Sequence, residues 1–247
     1  MDSRQVTSII STSPIKNHPS TSFLDETIAG IRHHLPDSPI IVTADEVWSR
    51  LDHYRPAYEE YLRRIENRYD SNVRIIKFPV RTHQTAMTQY AIQNFVKTDL
   101  IWIDEHDLPL RVDRPINWDA MADALRKGDA NHIHLSIFEE GIHPAHEHLM
   151  LGGHDWRNKE SWTVEGGDTF VRTVQYSHFP HMSTPKFYIE KIFSGQPIGL
   201  EMVELRMYSL CANAPWEEYK LVVYCPPYPA QRFKHINGRA GDPCSWE

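Results

Sequence analysis

The chain has 247 residues, 40% hydrophobic and 24% charged, an ordinary globular composition with enough length to bury a sizeable core. Its formal net charge of -7 excludes a global basic footprint for nucleic acid, and no run approaches the ~20 apolar residues that span a bilayer. Three irregularly spaced cysteines, Cys211, Cys225 and Cys244, exclude a disulfide framework or zinc ribbon and suggest a reducing compartment, hence a cytoplasmic location.

The opening MDSRQVTSII is too polar for a signal peptide. Val6 to Ser11 is β-branched and apolar and predicts a strand. The loop TSPIKNHPSTS follows, and Ser20 or Ser22 is placed to cap a helix from Phe23 to Leu35. Pro36-Asp37 breaks that helix. Strands are expected at Pro39 to Thr43, Val73 to Phe78 and Leu100 to Ile103. Helices are expected at Pro56 to Asn67, at Gln84 to Phe95 with Met87, Ile92 and Phe95 inward, and at Trp118 to Lys127. This alternation argues for a largely parallel sheet with right-handed crossovers. The second half is irregular. His132 to Phe138, Thr169 to Gln175 and Lys220 to Tyr224 read as strands, Thr184 to Phe193 and Leu200 to Cys211 as helices. The chain shows no repeat and no low-complexity linker, so one domain is the simpler reading.

One stretch stands out. In LIWIDEHDLPL, Leu100 to Leu110, an apolar strand runs straight into Asp104, Glu105, His106 and Asp107. Ligands of such sheets sit beyond the carboxyl ends of the strands, so these carboxylates should face a cleft. Three readings compete: helix capping, a general acid/base pair, or a divalent cation site. Glu105 and Asp107 are two apart, and in extended chain they would point the same way, as a shared cation requires.

At this point the sequence resembles a nucleotide-sugar-dependent glycosyltransferase of the GT-A fold, near the large family 2 group. The stretch IISTSPIKNHPSTSFLDETIAGIR resembles that fold's opening strand, nucleotide-contacting loop and first helix, and PIIVTADEV resembles its second strand, whose acidic end meets the nucleobase. LIWIDEHDLPL resembles the strand ending in the DXD metal motif. GLEMVELRMY resembles the helix start that carries the catalytic base, and FKHINGRAGDP a closing His-x-x-Gly-Arg segment. The chain departs from the family at two places: Glu105-His106-Asp107 stands where two aspartates are usual, and Glu204 is followed by Leu205 rather than aspartate.

The resemblance implies a mostly parallel, Rossmann-like α/β sheet flanked by helices. A nucleotide-sugar-binding half would span 1–130 and an irregular acceptor-side half 131–247. It implies Thr12, Ser13, Pro14, Asp45, Gln84, Asp104 and Arg239 toward the donor, and Glu105, Asp107 and His235 toward Mn²⁺ or Mg²⁺. The base is open between Glu201 and Glu204. Such a site would stabilise the departing nucleoside diphosphate by metal or arginine and activate an acceptor hydroxyl by a carboxylate, with inversion at the sugar. The acceptor is a glycan, a lipid-linked sugar, a small molecule or a hydroxylated DNA base.

Other clusters have plainer readings. His143, His146, His148 and His154 form a His-rich segment without HExxH or paired cysteines, read as a surface or acceptor-lining loop before a zinc site. His178 and His181 with Tyr176, Phe179 and Tyr188 are either acceptor pocket or ordinary core. Arg63, Arg64 and Arg68 are a solvated helix face, Trp216 to Tyr219 a helix surface, and the cysteines structural. Two rival functions remain: a metal-dependent nucleotidyltransferase or hydrolase, and a non-catalytic sugar-nucleotide-binding module. A nucleotidyltransferase usually shows a Gly-rich basic loop after the first strand, whereas TSPIKNHPS has one lysine and no glycine.

Overall fold

The computed structural model describes residues 1–141, 161–194 and 203–236. The first half folds as its apolar pattern dictates: β1 (Val6–Thr12), α1 (Ser22–His34), β2 (Ile40–Ala44), α2 (Arg55–Glu66), β3 (Val73–Lys77), α3 (Gln84–Phe95), β4 (Leu100–Glu105) and α4 (Trp118–Lys127). Strands β5 (His132–Leu135), β6 (Ser161–Thr163), β7 (Thr169–Thr173) and β8 (His181–Ser183) follow. A short helix α5 (Pro185–Phe187) continues as a π-turn, Tyr188–Ile192; α6 (Val203–Asn213), α7 (Trp216–Tyr219) and β9 (Leu221–Cys225) complete the chain.

Local chemistry sets the helix ends. Asn117 Oδ1 accepts from Ala120 N at 3.1 Å and caps α4. Gly128, at φ 73°, returns its N–H to the Ala124 and Leu125 carbonyls, the left-handed ending that glycine adopts without strain. At α1 the cap position falls on Thr21, not on Ser20 or Ser22, and Thr21 donates to Asp25 Oδ2 at 2.7 Å.

Among the described residues, nine strands join one sheet in the order β3-β2-β1-β4-β8-β5-β9-β7-β6. β1 pairs parallel with β2 and β4, and β2 with β3, as expected for the first half. The second half differs. The three-residue strand β8 inserts antiparallel between β4 and β5, which no apolar pattern announces. β9 is parallel to β5, and β7 and β6 add antiparallel. Two antiparallel steps restore the direction, so β9 runs the same way as β4 and ends on the same edge of the sheet.

Apolar side chains from alternate strand positions fill two layers. Val6, Ile10, Leu100 and Trp102 pack with α1 and α4 residues such as Ile31 and Met121. Ile9, Ile101 and Ile103 pack on the other side with Ile92 of α3 and Met207 of α6. Met87 and Ile92 are buried as expected, while Phe95 is only partly so. Among the described residues, no helix is long and apolar enough to cross a membrane.

Candidate active site

Strand order reverses between β1 and β4: β2 and β3 lie to one side of β1 and β4 to the other. In open α/β sheets the ligand crevice opens beyond the carboxyl ends at such a point. Here that edge is knit by His106, whose backbone N–H donates to the Ser11 carbonyl at 3.1 Å and whose Nδ1 lies 3.2 Å from the same oxygen.

The acidic stretch divides across this edge. Strand alternation puts Asp104 on the face of Trp102, and Trp102 Nε1 donates to Asp104 Oδ2 at 3.2 Å. Glu105 N donates to Asp104 Oδ1 at 2.8 Å. Asp104 is fully buried, and burial pushes its carboxyl well above the usual aspartate range. Each Asp104 oxygen, read from the sequence as facing the donor, thus accepts a hydrogen bond from the chain itself. Glu105 points to the other face, where Gln84 Nε2, in the first turn of α3, donates to its Oε1 at 3.0 Å. The extended backbone that would put Glu105 and Asp107 on one face is not present. The strand ends at Glu105, Leu108 N returns to the Glu105 carbonyl at 3.1 Å, and the intervening turn breaks the alternation.

Asp107 meets a different partner. Residues 230–236 run back along this loop. Arg111 N donates to the Arg232 carbonyl at 2.8 Å, Lys234 N to the Pro109 carbonyl at 3.0 Å and Ile236 N to the Asp107 carbonyl at 2.9 Å. His235 Nε2 thereby comes 3.9 Å from Asp107 Oδ2. Among the described residues no three His, Cys, Asp or Glu side chains gather as a metal cage. Asp107 nonetheless supplies a carboxylate of the kind that Mg²⁺ or Mn²⁺ takes alongside phosphate and water, and the His235 ring nitrogen lies beside it. Arg239 and Glu201 lie outside the described residues, as do Cys244 and the His143 to His154 segment.

The β1 loop is ordered from within. Thr12 is buried and its hydroxyl lies 3.1 Å from Tyr61 Oη; Pro14 is buried and Ser13 half-buried. His18 stacks on Tyr61 at 4.0 Å and accepts from Ile15 N at 3.2 Å, and burial lowers its ring pKa to about 3. Asp45, just past β2, accepts three backbone N–H groups: Glu46 at 2.9 Å, Thr82 at 2.7 Å and His83 at 3.0 Å. It holds the β3–α3 loop in place, and Arg81 of that loop lies 3.9 Å over the Trp48 ring. His83 sits at φ 69°, a strained conformation for a side-chain-bearing residue, and its Nδ1 is buried with no hydrogen-bond partner among the described residues. Sequence reading missed His83, because nothing in RTHQ announces a positive φ.

Glu204 lies in the first turn of α6. Its Oε1 accepts from His178 N at 2.7 Å, and burial raises its pKa above the usual glutamate value. Behind them the histidine and tyrosine cluster is core. His181 Nε2 lies 2.5 Å from Tyr188 Oη, which lies 2.7 Å from Tyr176 Oη, and all three residues are buried. Burial lowers the pKa of His181 to about 4, so the ring is neutral there.

A parallel α/β half, a topological switch point lined by acidic strand ends and a mixed second half define the fold of GT-A-type glycosyltransferases and nucleotidyltransferases. No protein-family model and no characterised protein matches the sequence. Solved structures do match in shape. GalNAc-T7 with UDP, GalNAc and Mn²⁺ superposes at TM-score 0.52 and 12% identity, over 97% of this chain and 45% of that one. Residues 1–349 of TarS from S. aureus superpose at 0.51 and 8%, over 93% and 59%. The 4-diphosphocytidyl-2C-methyl-D-erythritol synthase from Anaerococcus prevotii superposes at 0.50 and 14%, over 94% and 93%. The chain thus spans about half the length of the two glycosyltransferases and nearly all of the synthase. At these identities the likeness concerns the fold.

Proposed function

We propose that the chain is a nucleotide-sugar-dependent glycosyltransferase that passes a hexosyl or pentosyl group to a hydroxyl acceptor. The observation that carries this reading is Glu204: a half-buried carboxyl of raised pKa, fixed by His178 N in the segment that leads into β8, the strand paired with β4. An acceptor hydroxyl needs such a base, with a pKa lifted toward the working pH. Nucleotidyl transfer attacks with a phosphate oxygen that is already ionised and has no such need.

In this reading, residues 1–130 bind the donor and 131–247 the acceptor. The β1 loop from Thr12 to Pro14 and the loop held by Asp45 cradle the nucleotide, and Gln84 fixes Glu105 beside it. Asp107 and His235 hold Mn²⁺ or Mg²⁺, which when bound neutralises charge on the departing diphosphate. Glu204 takes the acceptor proton as the hydroxyl attacks, and a single displacement inverts the sugar. The acceptor is a glycan, a small molecule or a hydroxylated DNA base.

One observation favours a second reading: the match that covers 93% of its partner is to a cytidylyl-transferring synthase fold. The product decides. Glycosyl transfer releases a nucleoside diphosphate from a nucleotide sugar, whereas nucleotidyl transfer releases pyrophosphate from a nucleoside triphosphate. The test is calorimetry with UDP, GDP, TDP and CTP, each with and without Mn²⁺, followed by product analysis. Mn²⁺-dependent binding of a nucleoside diphosphate, with turnover lost and binding kept in Glu204→Gln, is the expected result. Pyrophosphate release from CTP overturns the reading.

A further inference from the structure

A cavity of about 590 Å³ opens at the same sheet edge as the candidate site, beyond the end of β9. β9 is three strands along from β4, roughly 14 Å at the usual strand spacing. No residue assigned above to the donor, the metal or the base lines it.

Its floor is polar and built from three separate parts of the chain. Asp168, just before β7, is 8% exposed; its Oδ1 accepts from Tyr224 Oη and its Oδ2 from Asn117 Nδ2, both at 2.9 Å. Both donors are neutral, and Asp168 forms no ion pair among the described residues. Arg232 is 5% exposed. Its Nε donates to the Pro115 carbonyl at 2.7 Å and its Nη1 to the Pro229 carbonyl, while its Nη2 makes no hydrogen bond among the described residues. The Arg232 guanidinium thus lines the cavity with donor capacity that the described residues leave unfilled and that a ligand oxygen can take up.

The charges decide the kind of ligand. Arg114, also in the lining, is matched by Glu139, to which Nη2 donates at 3.0 Å. Arg232 and Asp168 both line the cavity and carry opposite charges. Asp113, also in the lining, is matched by Arg111, whose Nη2 donates to it at 3.2 Å. The cavity therefore presents one strong donor and one strong acceptor with no net charge. A phosphate or nucleotide gains nothing from that balance, but a neutral polyol, whose hydroxyls both give and accept, matches it. On the rim, Tyr228 is 80% exposed, the most exposed large apolar side chain among the described residues, flanked by Pro227 and Pro229. A flat aromatic face left in water beside a polar floor suits the C–H face of a sugar ring. The volume lies within the range of small-ligand sites and admits a mono- or disaccharide.

We propose that this cavity is a binding site for a neutral saccharide, with Asp168 and Arg232 reading hydroxyls and Tyr228 stacking on the ring. Binding here needs neither nucleotide nor metal, so it stands apart from the transferase reading. The test is saturation-transfer NMR on the full chain with glucose, galactose, N-acetylglucosamine and lactose, with inorganic phosphate and UDP as competitors. At least one sugar should show transfer that neither phosphate nor UDP displaces. Tyr228→Ala, at a site too exposed to disturb folding, should weaken it about tenfold. Asp168→Asn, checked by circular dichroism for an intact fold, should weaken it further. Absence of transfer from every sugar, equal transfer in Tyr228→Ala, or displacement by phosphate overturns the proposal. UDP binding with Mn²⁺, read by calorimetry on the same wild-type sample, bears only on the transferase reading.

Discussion

Replacing Asp45 by asparagine should destabilise the protein by about 2 kcal/mol. The wild-type carboxylate accepts three backbone N–H bonds: two at Oδ1, from Glu46 and Thr82, and one at Oδ2, from His83. An amide oxygen turned toward the first pair keeps both bonds but loses charge assistance, ~0.5–1 kcal/mol apiece. Its NH₂ group then faces the His83 N–H, one bond is lost, and a part-buried donor is stranded at ~1–2 kcal/mol. Against this, releasing His83 from φ 69° returns on the order of 1 kcal/mol of backbone strain. Urea unfolding measures the net. With a slope of about 3 kcal/mol per molar for a chain of this size, the midpoint should fall by roughly 0.7 M. Hydrogen exchange at the Thr82 and His83 amides should quicken as well, since those are the N–H groups set loose. A midpoint within about 0.2 M of wild type, with unchanged exchange at both amides, refutes the claim that Asp45 holds this loop.

Three further outcomes are expected. Gly30→Ala should destabilise the fold by ~1–3 kcal/mol despite alanine's better helix propensity, because its Cβ would lie 2.8 Å from the Leu110 carbonyl oxygen; a urea midpoint at or above that of wild type refutes this. Asp104→Asn should change the pH dependence of stability. Folded Asp104 keeps its proton to higher pH than the unfolded chain does, so its contribution is complete at low pH and is lost as the pH rises through the raised folded value. The variant should therefore gain on wild type as the pH rises above the ordinary aspartate range, and urea midpoints that stay parallel from there upward would contradict it. If Glu204 is the base, kcat/KM should rise with pH through a midpoint above the ordinary glutamate value, and Glu204→Gln should lower kcat by about 10²–10⁴ with the acid limb gone.

Much of the first half was legible because its elements are long and strongly patterned. Gln84–Phe95 and Trp118–Lys127 are helices at the boundaries that the apolar spacing and the flanking Asn117 and Gly128 indicate. β8 was not legible. His181–Ser183 carries one apolar side chain, and what makes it a strand is pairing with β4 on one side and β5 on the other. The divergence of Asp104 from Glu105 follows from strand parity counted from Trp102, a signal present in the sequence but overridden by the attraction of an acid-x-acid motif. Asp107 beside His235 was suggested by family resemblance alone, since no periodicity reports contacts between segments so far apart. The same limit hid the cavity at β9, assembled from residues near 115, 168 and 230.

The returning segment 230–236 also bears on how the molecule is made. Arg232 Nε meets the Pro115 carbonyl 117 positions earlier, and Phe233 bridges to Leu110. On a ribosome, the first four strands emerge and pair long before this segment exists, so the Asp107 turn waits unbraced until synthesis passes Ile236. Contacts of such reach form late, after their loop-closure entropy has been met by everything between. A nascent chain stalled short of residue 230 should therefore resist proteolysis across its parallel strands and yet be cut between 105 and 112.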